Sequence, residues 1–320
     1  RIPKSKAFIN YSLSDSLLNI FTVTKDHFSL HTDKIDSSFF QDIKNVVRLL
    51  KRVDTDNSYR EFISFTKSSS NLYKKLIQPL ESQIQGKDLI FIPDGVLSYI
   101  SFDALLTEEM TTERPDYRAL PYLIKKYKSN VANSMQIYFN MKSREIKPND
   151  KVYAFAPIYQ NNKKTDSIPQ EYEFLRPLDY AKMEVKSIER NLKTKTFMDG
   201  EASEENFFNE AKDAGVLHLA MHTFINDEDP LYSKLLFTYN QKSSSGLVNT
   251  YELLGLDLNA ELAVLSGCST GEGELQQGEG VMSLSSGFQF AGVPAIIMSL
   301  WEVNDRFGAL VIDKFYQYLA

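Results

Sequence analysis

From residue 151 to the carboxyl end, short apolar runs alternate with stretches of helical spacing, and this alternation restricts the fold more than any other feature of the chain. The runs are Lys151-Val-Tyr-Ala-Phe-Ala-Pro157, Gly215-Val-Leu-His-Leu-Ala-Met221, residues 235–238, residues 261–266 and residues 293–300, with a further short strand expected at 194–198. Between them, residues 180–192, 202–213, 279–291 and 305–319 carry the 3.6-residue spacing of helices. Strands separated by helices of this length are joined by right-handed crossovers, which predicts an α/β fold with a mostly parallel sheet and helices on both faces. No internal repeat is visible.

A second lobe is expected ahead of this one. Asn19-Ile-Phe-Thr-Val-Thr24 and Phe28-Ser-Leu-His31 read as a strand pair around Lys25-Asp-His27, and residues 36–52 and 57–84 have helical spacing. Asp88-Leu-Ile-Phe-Ile-Pro93 reads as a buried strand closed by the turn Pro93-Asp-Gly95, and residues 133–143 read as a helix. Residues 144–150 are the best linker, dividing the chain into residues 1–148 and 149–320.

With 320 residues, 42% hydrophobic and 24% charged, the chain is long and apolar enough to bury a large core. Its single cysteine excludes an internal disulfide, and with no apolar segment at the amino end this argues for a reducing, cytoplasmic compartment. No run approaches the roughly 18 apolar residues a membrane helix needs. A net charge of −6 argues against a general nucleic-acid binder, and the basic cluster Lys125-Lys-Tyr-Lys128 reads as a solvated face.

The one cysteine, Cys268, follows the apolar run at 261–265 inside the small-residue string Ser266-Gly-Cys-Ser-Thr-Gly271. In open α/β sheets ligands bind beyond the carboxyl ends of the strands, so a thiol there stands on the lip of a cleft. His222 ends the run at 215–221, placing an imidazole at the end of a second candidate strand. A buried cysteine or histidine alone is usually a packing residue, but a thiol and a base at two strand ends, with glycines freeing backbone amides nearby, are the parts of a nucleophilic site. His218 lies four residues back, about 13 Å along a strand, and reads as a strand residue. That spacing excludes a zinc site from His218, His222 and Cys268. Gly271-Glu-Gly-Glu-Leu-Gln-Gln-Gly278 matches neither nucleotide-binding glycine pattern and puts carboxylates where phosphate would sit.

The ordered series His-Leu-Ala-Met-His222, Leu-Ser-Gly-Cys268-Ser-Thr-Gly-Glu-Gly, Gly278-Glu-Gly and Ala291-Gly-Val-Pro-Ala-Ile-Ile-Met-Ser-Leu-Trp301-Glu-Val-Asn-Asp305 resembles the CHAT family of caspase-like cysteine proteases, relatives of separase. Leu76-Ile-Gln-Pro-Leu80 and the segment from Leu89 to Leu105 extend the resemblance upstream, so it covers nearly the whole chain. It implies a caspase-like fold with a degenerate amino-terminal lobe and a catalytic carboxyl-terminal lobe. It also implies a dyad of Cys268 as nucleophile and His222 as proton carrier, working without metal or cofactor. Backbone amides of Cys268 and Thr223, with Gly267 holding the turn, would bind the oxyanion; Trp301, Glu302 and Asp305 would line the substrate pocket. Separases read arginine with acids near this segment, whereas here Phe307, Gly308 and Ala309 follow, so an apolar preference stands equally open.

Two departures from the family pattern bear on function. A glycine usually follows the catalytic histidine, and here Thr223 stands there; a β-branched residue does not readily take positive φ. Family members also continue past the equivalent of Ala320 through a further helix and strand, and tetratricopeptide repeats often precede the domain, so the sequence is expected to be part of a longer protein. The resemblance implies a protein substrate in bacterial defence or signalling and an activating protein or ribonucleoprotein partner, with no membrane and no direct nucleic-acid contact. Residues 266–280 hold almost no apolar side chain to pin them, so this loop is expected to need that partner for order. The rival reading is an inactive CHAT domain serving as an interaction scaffold, for which Thr223 is the sequence support.

Overall fold

The computed structural model describes residues 1–51, 59–111, 114–147, 149–159, 169–173, 175–226, 228–240, 245–267, 280–301 and 303–320, without the side chains of 280–283. They form two compact units, Arg1–Asn140 and Met141–Ala320.

In the first unit β1 (Lys6–Leu13), β2 (Leu17–Val23) and β3 (Phe28–Lys34) make an antiparallel meander, followed by α1 (Ser37–Leu50), α2 (Tyr59–Leu76) and α3 (Glu81–Ile84). Then β4 (Asp88–Ile92) and β5 (Ser129–Val131) extend the β1 edge in parallel, giving the order β3-β2-β1-β4-β5, and α4 (Met135–Ser143) follows. Strand alternation divides the side chains between two faces. Ile9 and its partner Phe91 join a core with Phe62, Phe65 and Leu72, while Phe8 and its partner Ile90 face Tyr138 and Phe139.

The helix expected over 57–84 is interrupted at Gln78–Leu80 by a tighter turn, because Pro79 lacks the N–H that the α ladder needs. β1 was not legible in advance, since Lys6, Asn10 and Ser12 dilute its apolar positions. Lys125 donates to the carbonyls of Arg118 and Leu120, and Lys126 pairs with Glu81, so these two cations of the basic cluster serve the unit's own structure.

The second unit runs β6 (Val152–Ala156), α5 (Ala181–Asn191), β7 (Thr194–Met198), α6 (Glu204–Glu210), β8 (Val216–Leu219), β9 (Thr223–Phe224), β10 (Lys234–Leu236), β11 (Leu247–Asn249), α7 (Thr250–Leu253), β12 (Leu262–Leu265), α8 (Gly280–Phe290), β13 (Ala295–Met298) and α9 (Asp305–Leu319). Its main sheet is wholly parallel, ordered β13-β12-β8-β6-β7. The strand expected at 235–238 does not join it: β10 pairs antiparallel with β9 and β11 in a separate small sheet.

Helices cover both faces of the parallel sheet, as the crossover argument predicts. On one face Val152 and Val264 pack with Ile188 of α5 and with Ile312 and Tyr316 of α9. On the other, Phe155, Leu217, Leu219 and Ala263 pack with Phe207 of α6 and with Leu284 and Phe288 of α8. Arg144 bonds to Asp257 and to the Leu258 carbonyl, and Lys147 N–H to Asn259, so this stretch is tied onto the second unit. Among the described residues no helix is long and apolar enough to cross a membrane.

Phe155 is the centre of this core. Its ring stacks on Phe197 at 4.4 Å and meets the edges of Phe207 and Phe237, each at 5.9 Å. Phe155→Ala is expected to cost about 3–5 kcal/mol in urea unfolding of the second unit; a loss under about 1 kcal/mol would contradict this packing.

Candidate active site

The three strands β8, β12 and β13 leave the sheet in step. Their last paired row is Leu219–Leu265–Met298. Counted along the sequence, the third residues beyond that row are His222, Cys268 and Trp301. Pairing persists past the row on the β8–β12 side, where Ser266 N–H donates to the Leu219 carbonyl at 2.9 Å. Next along, Gly267 lies so close to Met221 that a Cβ there would stand 1.6 Å from the Met221 carbonyl oxygen. Only glycine permits that approach. The residues immediately before Cys268 and before His222 are therefore in backbone contact.

His222 is buried and held from several sides. Its N–H donates to the Tyr159 hydroxyl at 3.0 Å, and its carbonyl accepts from Leu236 N–H at 3.1 Å. Tyr159 passes its own hydrogen to the Leu236 carbonyl and sets its ring edge-to-face with the imidazole at 4.7 Å. Burial pushes the Tyr159 hydroxyl pKa well up, so it acts as a neutral hydrogen-bonding group. The imidazole Nε2 lies 2.8 Å from the Arg176 carbonyl oxygen. A carbonyl can only accept, so Nε2 carries a hydrogen, and in the neutral ring the lone pair is left on Nδ1.

Thr223 lies in β9, opposite Leu235. Asp199 is the only non-glycine residue among those described with positive φ, so the backbone at Thr223 does not demand a glycine. Trp301 is half-buried beyond the end of β13. Asp305 does not cap its own helix: Asn304 does, accepting from Phe307 N–H. Instead the Asp305 carboxylate accepts from Tyr180 N–H at 3.0 Å, at the start of α5. Burial raises its pKa above the usual carboxylate value, Glu184 and Asp179 add to the rise, and the Tyr180 N–H and His222 oppose it. In sign, the raised value costs stability as pH climbs from the ordinary carboxylate range through it.

His218 is a core residue. Its Nδ1 meets the Tyr316 hydroxyl at 3.1 Å, and its Nε2 stands 2.9 Å from Glu184 Oε1, though the two are not aligned for a hydrogen bond. Near the carboxyl end of β9, the Asn226 side chain accepts from the N–H groups of Glu228 and Asp229. No group of three or more His, Cys, Asp or Glu among the described residues is placed to hold a metal. Of the residues singled out from sequence, Cys268 and Glu302 lie outside the described residues, as does the string 268–279. Sequence reasoning missed Tyr159 and Arg176. The second contributes a main-chain oxygen that no side-chain pattern announces, whereas Tyr159 follows shortly after β6, the strand beside β8, and that position was its only signal.

The family model described as CHAT domain matches residues 66–320. No curated protein matches the chain. The Gly267 contact yields a test independent of any activity. Because the clash partners are backbone atoms of Met221, Gly267→Ala is expected to lower unfolding stability by about 1–3 kcal/mol. A variant within about 0.5 kcal/mol of wild type would mean that β12 and β8 do not approach in this way.

Proposed function

The chain belongs to the CHAT family, whose fold is caspase-like, and on that premise we propose that it is a cysteine endopeptidase with Cys268 as nucleophile and His222 as base and acid. The observation that carries the reading is the backbone contact of Gly267 with Met221, which joins the two chain segments one residue short of the thiol and the imidazole.

With Nε2 engaged by the Arg176 carbonyl, Nδ1 takes the Cys268 proton. The thiolate adds to the scissile carbonyl carbon, and the oxygen takes up the electron pair. Backbone N–H groups of Cys268 and Thr223, with Gly267 shaping the turn, meet that oxyanion, each worth roughly 3 kcal/mol in the transition state. As the C–N bond breaks, the imidazolium returns its proton to the departing amine. Water, deprotonated by His222, then cleaves the thioester and regenerates the thiol.

Trp301, Glu302 and Asp305 are proposed to line the pocket for the residue before the cut. The substrate is a specific protein, in bacterial defence or signalling within a reducing cytoplasm, and a protein or ribonucleoprotein partner completes the loop after Gly267. No cofactor enters the scheme. The second reading is an inactive CHAT domain acting as an interaction scaffold, for which Thr223 in place of a glycine is the sequence support.

A thiol-reactive peptide probe, applied with the activating partner present, is expected to label wild type and neither Cys268→Ala nor His222→Ala, both of them folded. Equal labelling of His222→Ala would remove the imidazole from the mechanism. For the pocket, Glu302→Gln and Asp305→Asn are each profiled on a peptide library. An acid that reads a basic side chain loses kcat/KM on Arg and Lys peptides at least ~10-fold more than on apolar ones; uniform losses would exclude that acid from substrate recognition.

A further inference from the structure

Asp305 and His222 are connected through a short segment that each grips at one end. Tyr180 N–H donates to Asp305, and the Arg176 carbonyl four residues earlier accepts from His222 Nε2. Little slack separates the two grips. Pro177 has a fixed φ, Leu178 is packed into the sheet-facing cluster with Val185 and Ala154, and Ala181 N–H closes back on the Leu178 carbonyl at 3.3 Å. α5 has no side-chain cap of its own, so the acceptor at its first turn comes from α9. The placement is costly for a carboxylate that only caps a helix, since Glu184 and Asp179 are close enough to repel it. The Tyr180 N–H is the hydrogen bond that opposes this repulsion.

We propose that Asp305 is a positioning residue for His222: by holding the Tyr180 amide it fixes residues 176–180 so that the Arg176 carbonyl keeps the hydrogen on Nε2 and leaves Nδ1 as the base. This rests on the protease reading for its consequence, not for its geometry. It is also distinct from substrate recognition, because a positioning acid affects every substrate alike and its hydrogen bond can be supplied by a neutral acceptor.

The test is side-chain 15N NMR of His222 in the whole chain, in a Cys268→Ala background, with the signal assigned by its loss in His222→Gln. Wild type is expected to show the Nε2–H tautomer. Asp305→Asn retains an amide oxygen for Tyr180 and keeps that tautomer; Asp305→Ala loses the acceptor and gives a mixture. His218, buried against Tyr316, is the internal control for an intact fold. If Asp305→Ala disturbs His218 as well, Asp305→Ser, which keeps a polar group but cannot reach Tyr180, is read in its place. A wild-type tautomer in Asp305→Ala overturns the proposal, and so does loss of the His218 signals in both the Ala and Ser variants, which would make Asp305 a prop of the whole fold. Either result leaves the protease reading standing, and an inactive protein leaves the tautomer result standing.

Discussion

The candidate site depends on one backbone contact, Gly267 against Met221, at the edge where β8 and β12 leave the parallel sheet. Parallel register fixes which residues stand opposite one another, and a slip by one residue would turn every side chain to the other face. Here the row Leu219–Leu265–Met298 sets the register, and the Ser266 N–H bond with the glycine contact carries it past the last regular pair. The arrangement works only because position 267 has no side chain, which makes a glycine before the cysteine a structural requirement and not merely a flexible neighbour.

Around that contact, polar groups are buried at a cost that hydrogen bonds must recover. His222 leaves the parallel sheet without the ladder partners a strand would give it; Tyr159 and Leu236 satisfy its main chain, and Arg176 satisfies one ring nitrogen. His218, Glu184 and Tyr316 join β8 to α5 and α9, and Asp305 joins α9 to the start of α5. The strand carrying the imidazole is thereby braced by polar contacts to both helices, in addition to the apolar packing of Val152, Ile188 and Ile312.

The alternation of apolar runs with helical spacing made the parallel sheet legible, because β6, β8 and β12 are buried strands whose composition needs no partner to be recognised, with β7 and β13 as its less buried edges. β5, β9 and β11 were not legible: two or three residues carry no period, and their place is set by the strands they pair with. The placement of His222 at a strand end was readable from the run before it. Its supports were not, since Tyr159 acts through a contact 63 residues away in sequence and Arg176 through a carbonyl. The sequence resemblance assigns Asp305 to the substrate pocket, and its bond to Tyr180 spans 125 residues, a separation no local pattern reports.

The central proposal is that the chain leaving the strand ends brings positions 222 and 268 side by side, and a disulfide measures this directly. The chain has a single cysteine, so His222→Cys creates the only possible internal pair. Gly267 and Met221, the residues just before the pair, are in backbone contact, so the proposal puts the two Cα atoms within the roughly 4.4–6.8 Å that a disulfide bridges. Under mild oxidant His222→Cys is expected to lose both free thiols as a monomer, while His218→Cys, about 13 Å further back along the strand, keeps its thiols. Free thiols persisting in His222→Cys would contradict the register on which the site is built.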